Sequence, residues 1–271
     1  MSTSDALLPN GDRIGQWWAV QESRHFGEAA LIIERDVTAP PDGRIRSGRP
    51  GHLSTLKKRW RGTMRIYIAG QKVLGQQVYD LCVKRGHEIA GVSAPAHAGD
   101  GEKPDRLRAA AEADGVLWLE SGKLNADTLP DGVDLIVAAH SHDFIGKKTR
   151  EKARLGAIGY HPSLLPLHRG RDAIIWTIHM GEKVTGGTVY WMNDVMDGGD
   201  IAAQEHCFVP PGISAGDLWR ETLHPLGLKL YEKVLGDLEQ GIEIREKQNH
   251  DLATWEPSWN RPKLKRPDPE S

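Results

Sequence analysis

Residues 64–82 read Met-Arg-Ile-Tyr-Ile-Ala-Gly-Gln-Lys-Val-Leu-Gly-Gln-Gln-Val-Tyr-Asp-Leu-Cys. Arg65 to Ala69 is a short apolar run closed by Gly70, and Val73, Leu74, Val78, Leu81 and Cys82 then recur at helical spacing. Strand, tight turn and helix therefore follow in order. A glycine-bearing strand-to-helix turn can cradle a phosphate, but Gly70-Gln-Lys-Val-Leu-Gly75 lacks the Gly-x-Gly-x-x-Gly spacing of dinucleotide sites. A simple tight turn is the plainer reading.

Moving outward, the alternation continues. Glu88 to Val92 reads as a second strand, Pro104 to Asp114 as an Ala-rich helix opened by proline, and Val116 to Leu119 as a third strand. Asp134 to Ala139 is a fourth, with the near-continuous apolar run of a strand covered on both faces. Phe144 to Arg154, Asp172 to Met180 and Ser214 to Gln240 carry helical patterns, the last with Ser214 as N-cap. Gly156 to Tyr160, Thr188 to Met192 and Ile201 to Phe208 read as further strands. This order predicts an α/β fold: a Rossmann-like, mostly parallel sheet with helices on both faces and right-handed crossovers.

The chain of 271 residues holds 35 Lys plus Arg against 37 Asp plus Glu, with 39% hydrophobic and 27% charged residues. A packed core is expected, and the net charge of −2 gives no global pull towards nucleic acid. The balance is uneven along the chain. Residues 1–63 carry 10 basic and 7 acidic residues, and Arg44 to Arg61 contains seven Lys or Arg and no acid. This first segment is expected to be an N-terminal extension, partly flexible, with a basic patch around Trp60 as the sharper alternative. The expected divisions are 1–63 extension, 64–241 catalytic domain and 242–271 extended tail, the last bearing Pro257, Pro262, Pro267 and Pro269. Two cysteines, Cys82 and Cys207, neither staple a fold nor form a Cys-x-x-Cys pair. No stretch approaches the roughly 20 apolar residues of a membrane span, and the N-terminus lacks signal-peptide layout. A reducing, cytoplasmic setting with no membrane partner is expected.

In open α/β sheets ligands bind beyond the carboxyl ends of strands, so the loops after Ala139, Tyr160 and Met192 are read first. They run His161-Pro-Ser-Leu-Leu-Pro-Leu-His-Arg-Gly170 and Asn193-Asp-Val-Met-Asp-Gly-Gly-Asp200. These, with Thr185-Gly-Gly-Thr188 and Asp197-x-Gly-Asp-Ile201, resemble the folate-dependent formyltransferases over roughly Met64 to Pro257. Within that family the first loop and Leu223-His-Pro-x-Gly227 look most like the hydrolase domain of formyltetrahydrofolate dehydrogenase.

The resemblance implies transfer of a formyl group from 10-formyltetrahydrofolate, a co-substrate, to an amine. It makes His161 and Asp197 catalytic. The family's Asn two residues before the His is Gly159 here, so an amide donor to the formyl oxygen is missing. Losing one such donor costs on the order of 100- to 1000-fold in other enzymes. The implied chemistry is consistent physically: an imidazolium at a formyl oxygen gaining negative charge lowers the barrier, and a carboxylate keeps that imidazole charged and relays a proton. Carried over, the donor pocket comprises Ala139, His140, Ser141, His142, Asp143 and Phe144, with Asn193, Asp194, Val195 and Met196. Ser163, Leu164, Leu165, Pro166 and Arg169 are assigned to substrate binding.

Other readings of the same residues exist. His140, His142, His161 and Asp197 contain a His-x-His pair that could hold a metal, yet the resemblance explains His161 and Asp197 without one, and no metal is expected. Ser163 lacks a Gly-x-Ser-x-Gly elbow and suits loop shaping better than nucleophilic attack. Asp194 and Asp200 read as loop formers, Tyr190 and Trp191 as core and pocket wall. Three functions follow: transfer to a small-molecule amine, hydrolysis of the same donor, or folate binding without catalysis. The tail after Gln240 is too short for the tRNA-holding domain of methionyl-tRNA formyltransferases, which disfavours tRNA. Nothing in the sequence specifies an oligomeric state.

Overall fold

The computed structural model describes residues 62–99 and 101–259. The expected extension, 1–63, falls outside the described residues except for its last two, as does the end of the expected tail.

Seven strands form one sheet: β1 (Arg65–Gly70), β2 (Glu88–Ala94), β3 (Trp118–Glu120), β4 (Leu135–Ala139), β5 (Ala157–His161), β6 (Val184–Trp191) and β7 (Ile201–Phe208). Their spatial order is β3-β2-β1-β4-β5-β6-β7. The first five are parallel; β6 runs antiparallel to β5 and to β7. The chain thus winds outward from β1, then returns to β4 on its other side, placing a switch point beyond the β1 and β4 carboxyl ends, where α/β sheets open a crevice.

Among the described residues there are six α-helices: α1 (Lys72–Lys84), α2 (Arg106–Ala113), α3 (Lys147–Lys152), α4 (Ala173–His179), α5 (Ala215–Leu218) and α6 (His224–Glu239). Alternate residues of each strand enter opposite faces, which creates two cores. Ile66, Ile68, Val92 and Val137 pack under Leu74 and Val78 of α1 and Leu230, Tyr231 and Val234 of α6. Tyr67, Ala69, Ile136 and Ala138 pack under Leu124, Leu129, Ile145 and Ala153. Each fully buried aliphatic side chain contributes about 1.5–3 kcal/mol.

The turn after β1 has a steric origin. A Cβ on Gly70 would overlap the Ala139 carbonyl oxygen of β4. Beyond it, the Lys72 N–H donates to the Asp105 carboxylate at 2.9 Å, and the same carboxylate accepts from Leu107 N at 2.9 Å. One acid caps both α1 and α2, so the N-terminus of α1 already holds an internal anion where a dinucleotide site would hold phosphate.

The final helical run departs from the continuous helix the pattern predicts. Ser214 does cap it, its Oγ accepting from Asp217 N at 3.1 Å. Between α5 and α6, however, Trp219–Leu223 forms a π-turn. Pro225 has no N–H for the carbonyl four residues back, and the register slips so that His224 N–H reaches Trp219 O. Tyr160 Oη donates to the Leu223 carbonyl at 2.7 Å. Residues 242–259 then run as a mostly extended segment with one 3-10 turn at His250–Leu252, bridging Ile201 through Glu246 and Arg169 through Trp255.

Candidate active site

A cleft of about 1080 Å³ opens at the switch point. Its walls come from the segment after β4, the end of β5, the start of α4, the loop after β6, and the π-turn. Because β6 runs against its neighbours, the loop after Met192 leaves beside the start of β5 rather than from the carboxyl edge of the sheet. It reaches the cleft by turning back through Asp197, whose φ of 51° lies in the left-handed region that Asp tolerates better than most residues. The glycines that follow permit the reversal: a Cβ on Gly199 would overlap the Trp191 carbonyl oxygen, and one on Gly198 would stand 2.6 Å from Val195 Cγ1.

Asp197 is held on three sides. Its Oδ1 accepts from Tyr190 Oη at 2.7 Å and its Oδ2 from Gly170 N at 2.8 Å. The Asp197 carbonyl accepts from Gln248 Nε2 at 2.9 Å. His161 Nδ1 faces Asp197 Oδ2 at 3.7 Å. The other ring nitrogen, Nε2, is 2.7 Å from the His168 carbonyl oxygen. A carbonyl only accepts, so Nε2 carries a hydrogen in this arrangement, and Nδ1 is the nitrogen left to exchange a proton towards Asp197.

The segment after β4 supplies the opposite wall. His140 (φ 56°) packs edge-on against Trp219 at 5.6 Å, and His224 stacks on the same indole at 5.4 Å. Burial, then the neighbouring Lys72 and His142, push the His140 imidazole down to about 4. Burial and Arg171 also lower His142, and burial lowers His224. These imidazoles are neutral near pH 7. Phe144 is 88% exposed and Met196 62% exposed at the cleft, large apolar groups that a bound ligand would cover. Asp143 is spent internally, accepting from Ser93 Oγ and from Gly122 N at 2.7 Å. Arg150 pairs with Asp194 and donates to the Ile145 carbonyl, while Arg171 stands exposed at the cleft.

The cleft therefore brings together His161, Asp197, His140, Ser141, His142, Asp143, Phe144, Asn193, Asp194, Val195 and Met196. Six sequence-assigned residues lie elsewhere. Ala139 is fully buried in the core at the end of β4, and Ala138 lines the cleft in its place. Ser163 shapes its loop, donating to the Leu167 carbonyl at 2.6 Å. Leu164 packs against Gly186, Leu165 N donates to Thr188 Oγ1 at 3.2 Å, and the Pro166 carbonyl accepts from Thr254 N at 3.3 Å. Arg169 is 3% exposed and donates to Gln248 Oε1 at 2.6 Å and His250 Nδ1 at 3.1 Å. The guanidinium is thus turned into the protein, where it anchors the C-terminal segment rather than facing the cleft. Gly159, Arg171, Ile174, Ile175 and Trp219 line the cleft without having been assigned to the site. The sequence reads Gly159 as the family's Asn position, and Trp219 has a signal in its place upstream of Leu223-His-Pro-x-Gly227. Among the described residues no group of three or more His, Cys, Asp or Glu is arranged to hold a metal.

Comparison with known proteins places these features in a lineage. Over 216 residues the chain is 34% identical to the mitochondrial 10-formyltetrahydrofolate dehydrogenase of Mus musculus, covering 76% of this chain and 23% of that protein. It is 30% identical over 204 residues to the methionyl-tRNA formyltransferase of Thermotoga maritima, covering 72% of this chain and 64% of that one. The chain thus spans less than a quarter of the dehydrogenase it matches. Among solved structures, glycinamide ribonucleotide transformylase 1 from Symbiobacterium toebii shares the fold, with a TM-score of 0.56 at 21% identity over 74% of this chain and 99% of that one. Residues 64–235 match the formyl transferase family along their length, and the chain belongs to that family.

Proposed function

We propose that this protein transfers a formyl group from 10-formyltetrahydrofolate to a small-molecule amine. The observation that carries this reading is the Asp197 carboxylate, fixed by Tyr190 and Gly170 and facing His161 Nδ1 on the wall of the cleft. The residues present suit a folate. Trp219, Phe144, Ile174 and Ile175 offer apolar surface for its ring systems, and Arg171 offers a cation for its carboxylates. A single drug-sized ligand occupies a pocket of roughly 300–1000 Å³, and the cleft of about 1080 Å³ lies at the upper end of that range, in keeping with a ligand as large as a folate.

The bound donor supplies an activated one-carbon unit; the protein supplies position and charge. Protonated at Nδ1, His161 presents a cationic donor to negative charge developing on the formyl oxygen. Asp197 balances that cation and accepts the proton shed by the nucleophile; as the bond from the formyl carbon to the folate nitrogen breaks, that nitrogen takes a proton back from the His161–Asp197 pair and leaves as tetrahydrofolate. The His168 carbonyl keeps the ring from rotating, and Gly170 and Tyr190 keep the carboxylate aimed.

Hydrolysis of the same donor is the second reading, favoured by Gly159, which leaves no amide side chain beside His161, and by the likeness to the dehydrogenase. Incubation with 10-formyltetrahydrofolate alone, and again with a panel of amino sugars and amino acid amides, separates the two. Tetrahydrofolate released only with an amine, together with a formylated amine, is expected. Prompt release with formate in the absence of any amine would establish hydrolysis instead, and binding without release would leave a folate-binding module.

A further inference from the structure

We propose that Tyr190 is a positioning residue for the Asp197 carboxylate, and that Gly159 makes the room it needs. The inference rests on the functional reading above. Gly159 and Tyr190 are direct partners across the antiparallel β5–β6 pair, so their side-chain positions share one face of the sheet, the face that opens into the cleft. A Cβ built on Gly159 would lie 3.4 Å from Tyr190 Cε1 and 3.5 Å from both Cζ and Oη. That is van der Waals contact along the distal edge of the ring, so any side chain longer than a methyl group at 159 competes with the phenol for its space. With hydrogen at 159, the ring lies across β5 and delivers Oη to Asp197 Oδ1 at 2.7 Å.

The phenol has one proton to give, and it gives it to the carboxylate. Tyr190 is only 7% exposed, and burial and the adjacent Asp197 raise its hydroxyl well above the ordinary tyrosine range. It remains a neutral donor. Its bond and the Gly170 N–H bond occupy one oxygen each, which fixes the plane of the carboxylate. Loss of the Tyr190 hydroxyl leaves the Gly170 bond as a pivot, and the Oδ2-to-Nδ1 separation of 3.7 Å is no longer defined. Displacements of about 1 Å at a reacting group cost on the order of 100-fold.

The test compares Tyr190→Phe, Gly159→Val, the double variant and Asp197→Asn in the full chain, using tetrahydrofolate release and thermal unfolding. For Tyr190→Phe the expected result is a fall in kcat of about 10- to 100-fold with KM for the donor within about threefold. In the donor-free protein, the Gly170 amide proton resonance, which reports its bond to Asp197, moves in a ¹H–¹⁵N spectrum. Gly159→Val is expected to reproduce both effects, and adding Tyr190→Phe to it to cost little more, since both changes remove one interaction. An unmoved Gly170 resonance with kcat within about twofold overturns the proposal, as does a double variant whose losses multiply. A dead Asp197→Asn beside a fully active Tyr190→Phe removes this inference alone; an Asp197→Asn protein with full turnover removes the functional reading and this one with it.

Discussion

Replacing Gln248 with Ala tests whether the C-terminal segment holds the catalytic loop. Gln248 is 6% exposed. Its Nε2 donates to the Asp197 carbonyl at 2.9 Å and the Gly199 carbonyl at 2.6 Å, and its Oε1 accepts from Arg169 at 2.6 Å. Truncation leaves two buried carbonyls and a buried guanidinium without these partners. Each neutral bond is worth about 1 kcal/mol net and the charged one about 1.5–3. Arg169 keeps its 3.1 Å contact with His250 Nδ1, which limits the charged loss to the lower end. The expected destabilisation is about 3–4 kcal/mol, a large share of the roughly 5–15 kcal/mol by which domains are stable. Urea unfolding followed by tryptophan fluorescence measures it, and the midpoint is expected to fall with the slope unchanged. Turnover is expected to fall further than donor binding, because the lost bonds end on the loop that carries Asp197. A destabilisation below about 1 kcal/mol would refute the reasoning, since the three bonds would then be replaceable by water.

Gly70→Ala drives a methyl group into the Ala139 carbonyl of the neighbouring strand; a loss of at least about 2 kcal/mol in urea unfolding is expected, because the atoms it meets, in Ala139 of β4 and Gly75 of α1, are backbone and cannot swing aside. Thr188 Oγ1 donates to the Ser163 carbonyl at 2.7 Å and accepts from Leu165 N at 3.2 Å and Gln204 Nε2 at 2.8 Å. Thr188→Val keeps the shape and removes all three bonds, so a loss of about 2–3 kcal/mol is expected by the same assay. The fold holds His140 neutral down to about pH 4, whereas the unfolded chain takes up the proton near 6.5. Its contribution is complete above pH 6.5 and lost as pH falls from 6.5 towards 4, about 1 kcal/mol at pH 5 after allowance for its partial exposure. A shallower decline of Tm between pH 6.5 and 5 in His140→Gln than in the parent protein checks the sign.

The sheet was legible from residues 64–139 because local signals agreed there: apolar runs, helical spacing and glycine turns all point the same way. Agreement weakened where a residue answered to a distant partner. The sequence places the start of the sixth strand at Thr188, where alternation begins, but β6 begins at Val184. Gly186 and Gly187 sit in the strand because Leu164 crosses one and Tyr160 the other. The helix expected from Phe144 to Arg154 contracts to α3, because Gly146 is extended and Phe144 turns outward into the cleft. Pro225 was visible, yet its consequence was a π-turn that sets Trp219 against the cleft rather than a break in the helix.

The site follows the same division. His161 and Asp197 stood in local motifs, whereas the bonds that aim Asp197 come from Tyr190 on β6, Gly170 and Gln248, the last 51 residues away in sequence. Arg169 is assigned to substrate binding on the resemblance, as a cation for acceptor or folate carboxylates. Its burial is imposed by Gln248, 79 residues downstream.

The most direct measurement is release of tetrahydrofolate from 10-formyltetrahydrofolate by the parent protein, His161→Ala and Asp197→Ala, with donor affinity measured in parallel by calorimetry. The account predicts turnover in the parent protein, its loss in both variants, and donor affinity within about tenfold in all three. Undiminished turnover in either variant, or a parent protein that neither binds the donor nor releases its formyl group, would contradict it.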